Sequence, residues 1–166
     1  MISKFSILLA TGAALMLSAC GEEAPAPDAN ANAGSSGQVA AVDTSTVSYF
    51  QQSVGDRVFF DTDSAAISPL AQQTLVRQAA WLAQNPGINV VVEGHADERG
   101  TREYNLALGA RRADSARAFL ISQGVAASRL RTISYGKERP EAACSAANCW
   151  AQNRRSVSVL AGAPTS

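Results

Sequence analysis

Apolar and polar residues change period several times along this chain, and each change marks a predicted element. Arg57-Val58-Phe59-Phe60 reads as a short strand closed by the turn residues Asp61-Thr62-Asp63-Ser64. Ser68-Pro69 then opens a helix, with Ser68 as cap and Pro at the first helical position. Ala71, Leu75, Gln78, Ala79 and Leu82 fall on one face of it, and Asn85-Pro86-Gly87 ends it. The β-branched run from Ile88 to Glu93 predicts a central strand. A second helix is expected from Thr101 to Gln123, stopped by Gly124. Leu130 to Tyr135 predicts a third strand, and Arg155 to Leu160 a fourth after a loop with two cysteines. The order β-α-β-α-β-β defines an α/β (α+β) fold: a mixed sheet with helices packed on one face. Both strand–helix–strand units predict parallel neighbours, and the last strand is expected to run antiparallel.

One position breaks the pattern. On the second helix Asn105, Leu108, Arg112, Ser115 and Phe119 share a face, and Leu108 and Phe119 turn that face toward protein. Arg112 thus falls where a helix is normally apolar, and a buried cation needs a partner. Asp97 lies just ahead, in the loop at the carboxyl end of the central strand, where open sheets bind ligands. The start of the second helix adds unpaired N–H groups, and Gly100 permits close backbone approach. Two readings stand. Asp97 and Arg112 form an internal salt bridge, or they line a pocket with Asn105 and Thr101 that suits a zwitterion, the acid taking an ammonium and the guanidinium a carboxylate. His95 alternates with Glu93 and Asp97, but a lone histidine without a nucleophile motif makes a weak case for an enzyme. A hydrogen-bonded structural histidine is expected there.

The N-terminal residues have a different character. Lys4, an apolar run through Leu17 and a small-residue stretch compose a secretory signal over residues 1–19, too short for an ordinary bilayer span. Leu17-Ser18-Ala19-Cys20 resembles the lipobox of bacterial lipoproteins, which implies cleavage before Cys20 and its acylation. The rival is an ordinary signal with a chance cysteine. Gly21 in place of Asp implies the outer membrane rather than inner-membrane retention. Residues 20–45, rich in Ala, Pro, Asn, Gly and Ser, predict a flexible tether averaging roughly 25–30 Å end to end. The folded domain is expected over 46–162.

Composition removes some functions. Net charge is zero over the 166 residues, and no basic excess points to nucleic acid. Besides Cys20 there are Cys144 and Cys149, and an exported chain meets an oxidising compartment. A small disulfide loop, free thiols and a metal site are the alternatives, the last with too few ligands for a closed zinc centre. No cofactor is called for.

The segments FFDTDSAAI (59–67), VEGHADERGTREYNLALGARRADS (92–115), ISYGKERP (133–140) and NRRSVSV (153–159) together resemble the OmpA-like peptidoglycan-binding domain. The resemblance covers about residues 55 to 161, and the lipobox and tether fit the lipoprotein branch of that family. It implies non-covalent binding of peptidoglycan at the diaminopimelate residue of the stem peptide, whose free end is a zwitterion. Carried over, the binding residues are Asp97, Arg112, Asn105, Thr101, Leu108 and Asp63. Asn153, Arg154 and Arg155 are implied to shape the end of the last strand. The resemblance further implies TolB and other Tol proteins as partners, and a role in tying the outer membrane to the wall during constriction at division. A lipoprotein of another envelope or secretion machine carrying the same domain is the alternative. Ala110 departs from the Glu common in the family, and some members lack the two cysteines of CSAANC.

Overall fold

The computed structural model describes residues 43–161. The signal, Cys20 and most of the tether lie outside the described residues. The first element is a short helix α1, Val47–Tyr49, which widens into a π-type turn over Phe50–Gly55. Thr46 caps it by accepting from the Tyr49 N–H. The sequence pattern did not mark this segment, because it is too short for a period and is held by tertiary contacts. Phe50 is wholly buried, with its ring centroid 4.8 Å from that of Trp81. Burying such a side chain contributes about 2–3 kcal/mol.

Strand β1 is Arg57–Phe59, helix α2 is Pro69–Gln84, strand β2 is Asn89–His95 and helix α3 is Arg102–Ser122. Strand β3, Leu130–Gly136, is followed by helix α4, Ala147–Asn153, and strand β4, Arg155–Ala161. Ser68 caps α2 through the Ala71 N–H, with Pro69 at the first turn. All five residues assigned to the inner face of α2 are buried. Gln78, the polar member, is satisfied at both ends: its amide N–H donates to Gly55 O at 2.6 Å and its oxygen accepts from Ser158 Oγ at 2.8 Å.

The sheet order is β1-β4-β2-β3. Strands β2 and β3 are parallel neighbours, and β4 runs antiparallel to both β1 and β2. The expected adjacency of the first and second strands is therefore corrected, since β4 lies between them. A crossover helix fixes the direction of the strand it leads to, not its adjacency, and the last strand fills the gap. Val58, Val90, Val92 and Leu130 from the sheet join Leu75, Leu82, Ala113, Ala116 and Leu120 from α2 and α3 in one apolar cluster, so both long helices cover the same face.

Two further corrections bear on the site. The buried stripe of α3 is Asn105, Leu108, Arg112, Ala116 and Leu120, while Ser115 and Phe119 are only half-buried. The stretch expected as a loop with the two cysteines closes into α4, which contains Cys149; Cys144 and Cys149 are joined by a disulfide that braces its start. Helix α3 sits unusually close to β2. A Cβ on Gly94 would overlap the Gly109 carbonyl, and one on Gly109 would overlap Gly94 in turn. Only glycine at both positions lets helix and strand meet this way. Among the described residues no helix is long and apolar enough to cross a membrane.

Candidate ligand-binding cleft

The cleft lies at the carboxyl end of β2, between the β2–α3 loop and the segment that follows β1. Asp97 folds the loop by accepting from the Arg99 N–H at 3.2 Å, an Asx-type turn. Gly100 has φ of 85°, a left-handed conformation suited to glycine. Thr101 then caps α3 by accepting from the Tyr104 N–H. Asn105 reaches back from α3 and donates through Nδ2 to Arg99 O at 2.7 Å. Lys137, after β3, donates to Gly100 O at 2.7 Å and Glu98 O at 3.2 Å. The loop is thus tied down from both sides.

Arg112 lies beneath it with no exposed surface. Its guanidinium donates to three carbonyls: Nε to Ser64 O at 2.8 Å, Nη1 to His95 O at 2.9 Å and Nη2 to Asp61 O at 3.0 Å. It also stands 5.3 Å from the ring centroid of Phe60. One cation therefore staples the segment after β1 to the end of β2 and to α3. Burial, with the charge of Arg154, pushes its pKa down to about 10, against the pull of Asp97 and Asp63. It remains charged at neutral pH.

Asp97 is 7% exposed, and its partners are not those the sequence suggested. Oδ1 accepts from Arg99 Nε at 3.2 Å, and Oδ2 accepts from Arg99 Nη2 at 2.7 Å and from Arg154 Nη1 at 3.3 Å. The internal Asp97–Arg112 salt bridge is thus replaced by pairs with Arg99 and Arg154, because Arg112 is already held by carbonyls. Burial would raise the Asp97 pKa; Arg99 and then Arg154 outweigh it and hold the acid below the ordinary carboxylate range.

The cleft has a volume of about 260 Å³, and its walls include Asp63, Asp97, Arg99, Tyr104, Asn105 and Leu108. The structure brings Asp63, Asp97, Asn105 and Leu108 to one cavity. Thr101 stands at the mouth as the helix cap, and Arg112 lies under the others rather than on the wall. Asp63 takes a left-handed conformation, φ 53°, and accepts a hydrogen bond from the Tyr104 hydroxyl, closing the far side of the cleft. Sequence reasoning missed Arg99, Tyr104 and the role of Arg154. The first could have been found from the D-x-R spacing of the turn. Arg154 follows a helix that left no periodic signal.

His95 is buried, and neither ring nitrogen makes a well-formed hydrogen bond. The expectation of a hydrogen-bonded histidine is corrected: the ring stacks on Tyr135 at 5.6 Å, and Glu93 Oε2 stands 3.6 Å from Nε2. Burial, then the charges of Arg155 and Arg139, push its pKa down to about 4, so it is neutral at physiological pH.

A four-stranded mixed sheet with two long helices on one face, and a pinned acidic loop at the end of its parallel pair, defines a class of binding domain. Residues 59–154 match the OmpA family. The chain is 54% identical to a peptidoglycan-associated lipoprotein of Mesorhizobium japonicum, over 98% of this chain and 95% of that protein. It is 42% identical to one of Pseudomonas aeruginosa, over 92% and 93%. The crystal structure of the peptidoglycan-associated lipoprotein from Burkholderia pseudomallei superposes with a TM-score of 0.64 at 38% identity, covering 67% of this chain and 96% of that one. The C-terminal domain of Helicobacter pylori MotB superposes at 0.59 with 25% identity, over 64% and 84%. The chain belongs to the OmpA family and, within it, to the peptidoglycan-associated lipoproteins.

Proposed function

We propose that this protein is an outer-membrane lipoprotein, acylated at Cys20, whose domain faces the periplasm and binds peptidoglycan without covalent chemistry. Its ligand is the zwitterionic end of a diaminopimelate-containing stem peptide. With TolB and other Tol proteins as partners, it ties the outer membrane to the wall and supports envelope constriction at division. The names of the relatives support the envelope setting.

The observation that carries the site is Asp97. A carboxylate this buried, yet on the wall of an open cleft, is a strong and directional acceptor for an ammonium. Leu108 offers apolar surface to the methylene stem of the ligand, and Asn105 and Asp63 hold its sides. Arg112 supplies positive charge for the ligand's carboxylate. Three of its five N–H groups hold backbone, so its fixed charge acts on the acid from beneath the cleft.

The placement of the cleft suits a tie. The first described residues meet the domain beside the last turn of α2, where Trp81 Nε1 donates to Thr44 O at 2.7 Å. Strand β2 starts a few residues beyond that turn and runs about 20 Å to the cleft. The contact of Thr44 and the cleft thus lie toward opposite ends of β2.

Co-sedimentation of the full chain with purified sacculi tests the reading. Wild type pellets with the wall, and Asp97→Ala loses at least about tenfold in binding, more than one charge-assisted hydrogen bond, while a cooperative melting transition shows the domain still folded. Equal pelleting of the two contradicts the site. Soluble muropeptides released by the wild type would instead indicate a hydrolase.

A further inference from the structure

We propose that Arg99 is a competing gate on the cleft: in the empty domain its guanidinium fills the place on Asp97 that the ligand's ammonium takes. The proposal rests on the peptidoglycan reading above and names what sets the strength of binding at that site.

A carboxylate has about four acceptor positions. On Asp97 all four are in use: Oδ1 takes the Arg99 N–H and Nε, and Oδ2 takes Arg99 Nη2 and Arg154 Nη1. An incoming ammonium must therefore replace a donor. The Arg99 N–H stays in place, because the carbonyl of its own peptide, Glu98 O, accepts from Lys137 Nζ at 3.2 Å and the next carbonyl, Arg99 O, accepts from Asn105. Arg154 is held as well, with its side chain 14% exposed and its Nε donating to Phe60 O at 3.1 Å. The Arg99 side chain is 43% exposed and lines the cleft, so it is the donor free to move. While paired with Asp97 its guanidinium carbon already stands 4.3 Å from the ring centroid of Trp150, itself fixed by donating from Nε1 to Glu98 at 3.2 Å, so the ring contact can be kept as the ion pair opens.

Binding is then an exchange of one cation for another. The charge around Asp97 is the same before and after, and the exposed half of the old ion pair costs little to open. A ligand whose amine is acylated brings no cation, cannot repay the displacement, and is turned away. Asp97 thus reads the charge of the amine, and Arg99 sets how strongly a cation must bind to be admitted.

The test is titration calorimetry of the full chain with two peptides: L-Ala-D-Glu-diaminopimelate with its terminal amine free, and the same peptide with that amine acetylated. Wild type takes the free peptide and discriminates strongly against the acetylated one. Arg99→Ala keeps the backbone N–H and Arg154 on Asp97. It binds the free peptide about three- to tenfold tighter and still rejects the acetylated one, because Asp97 is intact. Binding by Arg99→Ala that is unchanged, or weakened as in Asp97→Ala, overturns the gate and leaves the peptidoglycan reading standing. Failure of folded wild type to take the free peptide overturns both. A melting curve on each variant confirms the fold, since the Arg99 side chain is substantially exposed.

Discussion

Arg154, at the end of α4, places Nη1 3.3 Å from Oδ2 of Asp97, the oxygen that also accepts from Arg99 Nη2. Two arginines share one acid, and they differ in what else holds them. Arg99 has an aromatic ring beside it, whereas Arg154 is tied to Phe60 O. The first can leave the acid, and the second fixes its position.

Opposite effects are therefore expected from the two side chains. Arg154→Ala frees the Asp97 carboxylate to rotate and removes the bond to Phe60 O. Binding to sacculi is expected to fall about fivefold and stability by about 1 kcal/mol, read from co-sedimentation and urea melts. Arg154→Lys restores the charge but not both bonds, and lands between.

The disulfide acts on the same acid at a distance. Cys144 and Cys149 close a loop of a few residues at the start of α4, the helix that carries Trp150 toward Arg99 and leads to Arg154. A loop this short is worth about 2 kcal/mol in unfolded-state entropy. Cys144→Ser with Cys149→Ser is expected to lower the melting temperature by several degrees, to weaken sacculus binding a few-fold and to leave helix content nearly unchanged. Circular dichroism and co-sedimentation read the two effects separately.

His95 sets an acid limit. Its folded pKa of about 4 is below the ordinary value of 6.5, so the unfolded chain binds its proton first as pH falls. Its neutral form favours the fold fully above about pH 6.5, and that advantage is lost progressively between about 6.5 and 4. The loss amounts to roughly 2–3 kcal/mol. His95→Phe, which keeps a ring against Tyr135, is expected to flatten the stability profile in that window, measured by urea midpoints at pH 7.5 and 5.

Much of the fold was legible because its elements carry periodic signals. The inner face of α2 and the β-branched run of β2 are patterns that burial enforces. The position of β4 between β1 and β2 was not legible, because periodicity gives direction and face but no neighbour. Helix α1 and helix α4 are short and held by tertiary contacts, Phe50 against Trp81 and the disulfide among them, so neither left a period. At the cleft, spacing brought out Arg112 as misplaced and Asp97 as near it. Their partners depend on the path of the segments 59–64 and 147–154, far away in sequence, and only the fold puts those there. The pattern exposed the unusual charge, and the packing decided what it holds.

The most direct measurement is a heteronuclear NMR titration of the labelled full chain, in detergent, with the stem tripeptide ending in diaminopimelate. The account predicts saturable shifts concentrated at the amides of Asp63, Arg99 and Gly100 and at the side-chain amide of Asn105, abolished in Asp97→Ala. Saturable shifts elsewhere on the domain, with those four groups unmoved, would contradict it.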